Sequence, residues 1–434
     1  MIRDITLGQY YPAKSVIHQL DPRVKLVATM LYIISLFVAK GILGYVIATI
    51  FLAFVIRTSK VPFKFITKGL KAIVMLLMIT VVFNLFLIDG DVVLWHFGFL
   101  KITDKGLRTA ILMGVRLIYL IIGWSLRDLS RAKKFRYLAA VGGMLLLLVN
   151  LVFGQENNGA RNWISLGGIS FQPSELVKLC FLYVGASTMD RIVTKRNLFL
   201  FIVYSAAICG CLALMNDFGT ALIFFVAFLV IAFLRSGSFA TVTLACAATG
   251  FAGVLAVRFR PHILRRFATW GHAWEYASAG GYQQTRAMMC IASGGLFGLG
   301  AGNGWLKYVF AADTDLVFAF LCEEWGLIIG LCAVAVIVIL AVFTVRSAKV
   351  GRSSFYTIAA CAAVAILTIQ TILNVFGTMD LLPLTGVTFP FLSNGGSSML
   401  ASWGLIAFLK AADTRQNASF AVRTAKAEEV EPLE

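Results

Sequence analysis

Charge is what this sequence has least of. Only 14% of its 434 residues are Asp, Glu, Lys or Arg, against roughly a quarter in ordinary globular proteins. A chain of this length would make about three soluble domains, but so few charges cannot cover their surfaces. Histidine is almost missing, with four scattered residues, His18, His96, His262 and His272. There is no CxxC and no HExxH. The eight cysteines lie in or beside apolar stretches, Cys209 and Cys211 being nearest together. A disulfide framework and a zinc site are therefore not expected, and disordered, collagen-like and coiled-coil chains are excluded by composition. Positions 1–14 are polar with aromatics and hold no apolar run, so no cleavable signal peptide is expected.

Hydrophobicity is what fills the space, at 59% apolar residues. Apolar runs near 20 residues mark spanning helices. About twelve are legible, near 25–39, 41–56, 71–88, 106–126, 137–154, 173–189, 197–215, 218–234, 239–257, 315–344, 355–378 and 397–411. The expected class is an all-α polytopic integral membrane protein. The net charge of +17 does not point to nucleic acid, because no basic helix or stacking platform stands outside the apolar runs. The cations instead form short clusters: Arg57 to Lys71, Arg127 to Arg136, Arg191 to Arg196, and Arg346 to Arg352. With twelve spans and a cytoplasmic N-terminus, all four clusters fall on the cytoplasmic side of the membrane. The tail at 412–434 is then cytoplasmic and, by composition, disordered.

One segment departs from that pattern. Between Arg258 and Thr314, on the expected outer side, lie Arg258, Arg260, Arg265, Arg266, Arg286 and Lys307. Two readings stand: a long loop translocates whatever its charge, or the cations meet an anionic substrate at the outer leaflet. Carboxylates in or beside spans are costly and mark function. On that side they are Glu175, Asp217, Asp313, Asp315, Glu323, Glu324 and Asp380. Glu175 and Lys178 stand one turn apart and can pair, which a purely structural bridge would also require. Glu323 shares a helical face with Asp315, whereas Glu324 is rotated away. Gly298, Gly300, Gly302 and Gly304 alternate without a preceding strand, so they are no dinucleotide fingerprint but flexible backbone beside a groove. Pro383, Pro390 and the run Ser393 to Ser398 break a helical region, which membranes tolerate only where backbone is buried in protein or lines a cavity. That run also offers N–H groups at a helix start, suited to an anion.

From about Ser125 to Ala411 the chain resembles the SEDS (FtsW/RodA/SpoVE) family of bacterial cell-wall synthesis. The carrying motifs are Gly159-Ala160-Arg161-Asn162-Trp163-Ile164 with Gln172-Pro173-Ser174-Glu175-Leu176-Val177-Lys178, and Asp217-Phe218-Gly219-Thr220. Gly281-Tyr282-Gln283 follows, leading into Ser293-Gly294-Gly295. Next come Thr314-Asp315 with Glu323-Glu324-Trp325-Gly326, and Leu382-Pro383-Leu384-Thr385-Gly386 through Gly395-Gly396-Ser397. Four departures accompany them. Asp313 stands where the family commonly has His, Arg286 where a second Gln is expected, and Asn216 where Pro is usual. Asn394 interrupts the usual Ser-Tyr-Gly-Gly run.

The opening residues, Leu20-Asp21-Pro22-Arg23-Val24-Lys25 with Arg116, resemble instead the transmembrane T component of energy-coupling factor transporters. The Ala-Arg-Gly motif with which such components grip their ATPases is absent from the sequence. The resulting expectation is a fusion: 1–122 T-component-like, 123–411 SEDS-like but short of the family's first two helices, and 412–434 tail.

The SEDS resemblance implies a peptidoglycan glycosyltransferase that polymerises lipid II into glycan strands and releases undecaprenyl pyrophosphate. The residue types suit that chemistry. A pyrophosphate leaving group needs its charge neutralised, and the acceptor sugar hydroxyl needs one carboxylate base. Asp315 is the expected base by its motif, with Asp313 its rival in the same loop. Arg161, Lys178, Arg260, Arg265 and Lys307 are expected on pyrophosphate or sugar, and Trp163 on a sugar face or at the interface. Gln172, Ser174, Glu175, Asp217, Gln283, Glu323, Ser393, Gly395, Gly396 and Ser397 are expected to shape the substrate site. A divalent cation, Mg or Mn, is the candidate cofactor; the metal ligands are open, and no organic cofactor is expected. Expected partners are lipid II, the growing strand, a class B penicillin-binding transpeptidase and other divisome or elongasome membrane proteins. Two other classes remain open: a lipid II flippase or non-catalytic scaffold, and a transporter coupling subunit.

Overall fold

The computed structural model describes residues 42–59, 93–97, 100–104, 135–157, 160–166, 169–190, 195–240, 242–248, 269–348 and 354–411, with single positions at 28, 32, 107 and 250. The spans read at 25–39, 71–88 and 106–126 lie wholly or largely outside these, as do the second part of the span read at 239–257, Arg116, the Leu20 to Lys25 motif and the tail.

The chain is mostly helical. Helix α1 (Ile42–Ser59) precedes a hairpin of β1 (Val93–Phe97) and β2 (Leu100–Thr103), then α2 (Arg136–Phe153). A three-stranded antiparallel sheet, β3 (Gln155–Asn157), β4 (Ala160–Leu166) and β5 (Ile169–Phe171), leads into α3 (Pro173–Met189). Then come α4 (Lys195–Leu214), α5 (Phe218–Ser236), α6 (Tyr282–Gly294), a 3-10 turn (Leu306–Tyr308) and α7 (Val317–Trp325). The last three are α8 (Leu327–Ala348), α9 (Ser354–Thr378) and α10 (Gly396–Ala411). Pro173 starts α3 at a position where its missing N–H has no intrahelical role. Gly237, at φ +60, ends α5 in the left-handed cap only glycine takes freely.

Five helices among the described residues are long and apolar enough to cross a bilayer: α2, α4 from Arg196, α5, α8 and α9. α9 is the hub, packed against α3, α5, α8 and α10. Lipid tails are as apolar as side chains, so helices in membranes associate through close packing, which small residues permit. Ala359, Ala360, Ala362 and Ala363 of α9 are all buried. Gly404 of α10 is pressed so closely that a Cβ there would lie 2.6 Å from Leu179 of α3. The outward faces are bare apolar surface, including Leu138, Val141 and Phe153 of α2 and Ile339 of α8.

The stretch read as one span at 315–344 is two helices. Its hydropathy is continuous, but Gly326 sits at φ +87 with Leu296 O where a Cβ would go. The N–H of Leu327 donates to Gly295 O, 2.9 Å away, rather than into the preceding turn. α6 and the strands were also not expected, although connecting backbone must pair somewhere.

The connections gather at two ends. β3–β5, the α4–α5 corner, the segment from α6 to α7 and the closing stretch 379–395 share one end. At the other, Ser354 donates to Asp190, 2.8 Å away. Arg136, Arg196, Arg235 and Arg346, near the termini of α2, α4, α5 and α8, lie at that second end.

Candidate functional site

Asp315 lies two residues before α7, on a tight turn whose left-handed pivot is Ala311 at φ +60. It is half-buried. Two segments grip its loop. Asn374, buried in α9, gives its one side-chain amide to both Asp315 O (2.9 Å) and Val387 O (2.8 Å). Ser393 Oγ donates to Thr314 O (2.6 Å) and accepts from Phe389 N (2.8 Å). Gly386, at φ +69, leaves open the space beside the Asp315 carboxylate. The closing stretch is thus folded over the base candidate.

A second polar group adjoins it. Asp217 caps α5, accepting from Thr220 N at 3.1 Å and from Gln172 Nε2 at 3.4 Å. Gly219, two residues on, abuts Thr385 and Val387, where a Cβ would come within 2.8 Å of either side chain. This contact ties the Asp217 corner to the strand of chain beside Asp315. Asn216 sits at φ +60, a conformation closed to proline, whose φ is locked near −65°, and tolerated by asparagine. The Gln172 N–H donates to Ser397 Oγ at 3.3 Å. Below, Lys178 Nζ meets Glu175 Oε1 at 2.7 Å with both side chains buried. Glu175 Oε2 and the neighbouring Ser174 Oγ have no hydrogen-bond partner within the described structure. Gly395 and Gly396 open α10 as expected; no side chain stands within 4 Å of a Cβ built on Gly396.

The remaining residues are placed elsewhere in this end. Glu323 accepts from Trp305 N (2.7 Å) and Leu306 N (2.9 Å), so its carboxylate holds the 3-10 turn. The alternating glycines pack as a collar against the α7–α8 break. A Cβ on Gly298 would lie 2.3 Å from Glu324 O, and Leu299 N and Gly300 N donate to Glu323 O and Glu324 O. Lys307 donates to Gly302 O at 2.7 Å and lies over the Tyr308 ring. Gln283 donates to Phe310 O at 2.9 Å. Arg161 is exposed on β4, 3.6 Å from Glu156, with its N–H on Met215 O. Trp163, half-buried, faces Gln155 across the strands. Arg260 and Arg265 lie outside the described residues.

Two residues at this end were not singled out as structural anchors. Asp380 accepts from Gly271 N, Ala273 N and Gln284 Nε2, pinning the stretch before α6 and α6 itself to the end of α9. Asn374 was missed altogether. Its only sequence signal is an amide within an apolar span, the kind of residue that hydrogen-bonds across membrane helices.

Fold and polar cluster together define a mostly helical polytopic membrane protein whose ionisable chemistry is concentrated in the loops at one end. The chain belongs to the FtsW/RodA/SpoVE family: the family model, described as cell cycle protein, matches residues 71–418. Among curated relatives, the peptidoglycan glycosyltransferase RodA of Mycobacterium bovis is 30% identical over 322 residues, 69% of this chain and 67% of that one. The probable peptidoglycan glycosyltransferase FtsW of Coxiella burnetii is 32% identical over 302 residues, covering 65% and 81%. A further relative, the energy-coupling factor transporter transmembrane protein of Ruminiclostridium cellulolyticum, is 44% identical over 126 residues, 29% of this chain and 47% of that one. Among solved structures, a chain of a peptidoglycan synthase complex that coordinates polymerization and crosslinking superposes with TM-score 0.55 at 26% identity, covering 65% of this chain and 81% of that one. The rod shape determining protein RodA of Thermus thermophilus shares the fold, with TM-score 0.54 at 22% identity over 80% and 97%.

Proposed function

We propose that this chain is a peptidoglycan glycosyltransferase that polymerises lipid II at the outer face of the bacterial cytoplasmic membrane. The carrying observation is Asp315: a half-exposed carboxylate beside a glycine, on a loop bound from two sides, at the end of the bundle remote from Arg136, Arg196, Arg235 and Arg346. Positive termini favour the cytoplasm, which turns the Asp315 end outward.

In this reading the acceptor sugar hydroxyl attacks the anomeric carbon of an α-linked lipid pyrophosphate. Its proton passes to Asp315 as the new glycosidic bond forms. The bond to pyrophosphate breaks, the phosphate oxygen takes the electron pair, and attack from the opposite face gives the β-linkage. The leaving group is a stable anion, so neutralising charge matters more than protonation. Arg161 and Lys307, exposed at this end, and the Glu175–Lys178 pair below are assigned to that neutralisation and to sugar contacts. A divalent cation is proposed as shared with the pyrophosphate. Among the described residues no three His, Cys, Asp or Glu side chains stand together; Asp315 would be the carboxylate to help hold such an ion, which would supply charge neutralisation. No step above depends on it. A membrane-anchored class B transpeptidase is the proposed partner.

The test is polymerisation of fluorescent lipid II by the purified chain and its Asp315→Asn variant, with lipid II binding measured alongside. Strands from the wild type only, with binding equal, support the reading. Strands from both would remove Asp315 as base, and lipid translocation without strands would favour a flippase.

The likeness over 29% of the chain to an energy-coupling factor transmembrane protein favours a second, narrower proposal: an N-terminal segment derived from a transporter T component. Co-purification of ATPase subunits with the intact chain would support a coupling role, and their absence would leave that segment as replaced membrane scaffold.

A further inference from the structure

The residue before Thr314 and the residue after Ser393 are in contact on the rim beside Asp315. Asn394 Nδ2 donates to Asp313 Oδ2 at 3.0 Å, and Asn394 N donates to Asp313 O at 2.9 Å. Next to them Ser393 Oγ donates to Thr314 O at 2.6 Å. These bonds run in register along 313–314 and 393–394, directly before Asp315. Asp313 and Asn394 are both exposed.

We infer that Asp313 and Asn394 form a latch that holds the Asp315 loop on the closing stretch, with Asp313 a positioning residue and not the base. This rests on the reading of Asp315 as base. The chemistry separates the two carboxylates. Asp313 accepts from an amide on the rim, whereas Asp315 lies against Gly386. A single exposed hydrogen bond contributes little. Here a side-chain bond and a main-chain bond join the same two residues and Ser393 adds a third beside them, so the side-chain bond closes the exposed edge of a shared grip and its loss loosens the loop at that edge. Asn394 supplies the amide donor and Asp313 the acceptor oxygens, and neighbours in contact have coupled, non-additive effects.

The test uses the full chain in lipid nanodiscs with lipid II as substrate. Asp313→Asn keeps an acceptor oxygen for Asn394 and retains most of the activity. Asp313→Ala and Asn394→Ala each lower kcat about tenfold or more with KM steady, within the range that ~1 Å of misplacement costs. The double alanine variant is no slower than either single one. Hydrogen exchange at the Asn394 amide speeds up in Asp313→Ala. An Asp313→Asn variant as inactive as Asp315→Asn would overturn the inference, as would losses that simply multiply. Should the wild type make no strands, the polymerase reading falls, and unchanged exchange at Asn394 in Asp313→Ala would then overturn the latch by itself.

Discussion

Gly386 leaves the space that the Asp315 carboxylate fills: a Cβ on it would stand 3.3 Å from Oδ2, at a backbone φ of +69. The closing stretch thus approaches the base candidate with bare backbone, and the approach sets where the carboxylate can point. Asn374 fixes the same relationship from below by holding both Asp315 O and Val387 O. Position and orientation of this carboxylate are therefore controlled by two separate stretches of chain, α9 and the closing stretch.

Replacing Gly386 with alanine strains the backbone by about 1–2 kcal/mol and pushes on the Asp315 side chain. The expected result is a chain that still folds, with kcat lowered about tenfold or more. Comparing unfolding midpoints and initial polymerisation rates for Gly386→Ala and wild type checks this. Unchanged kcat would show that the contact does not set the carboxylate.

Glu323 is expected to act on the loop and not on substrate. Removing its carboxylate leaves the buried Leu306 N–H and the part-buried Trp305 N–H unmet. Hydrogen bonds to a charged group are worth about 1.5–3 kcal/mol each, so Glu323→Ala lowers stability by about 3 kcal/mol or more. Glu323→Gln, which keeps one acceptor oxygen, loses roughly half of that. Thermal unfolding in detergent measures both. A fully stable Glu323→Ala with raised KM would instead make Glu323 a substrate contact.

Burial first, and then the neighbouring Glu323 carboxylate, push the Cys290 thiol on α6 up to about 12, with Arg286 acting in the opposite direction. The raised value means the folded chain keeps this proton where the unfolded chain, with an ordinary thiol near 9.0, gives it up. The Cys290 contribution to stability is therefore fully present below that ordinary value and is lost as pH rises toward about 12. Near pH 8, roughly, Cys290 should resist maleimide in the folded chain and react once unfolded. Mass spectrometry of labelled peptides reads this directly. Rapid labelling of the folded chain would show that α6 opens away from Glu323.

How much of this was legible differs by element. The runs at 137–154, 173–189, 355–378 and 397–411 fall within a residue or two of α2, α3, α9 and α10, because membrane burial makes hydropathy a direct readout of a helix. The α7–α8 break was not legible. It depends on Gly326 meeting Leu296 O from a distant loop, and the surrounding run stays apolar. At the site, the carboxylates announced themselves because charge in an apolar run is costly. Asn374 did not. Its partners are backbone carbonyls, which every residue has and no sequence pattern marks. Asp313 and Asn394 each stood out as an oddity in its own motif, but only the fold brings the two oddities together.

The most direct measurement is polymerisation of lipid II by the purified full chain, wild type beside Asp315→Asn, with a class B transpeptidase and a divalent cation supplied. The account predicts glycan strands from the wild type, none from Asp315→Asn, and equal lipid II binding by both. Strands of equal yield from Asp315→Asn would contradict it.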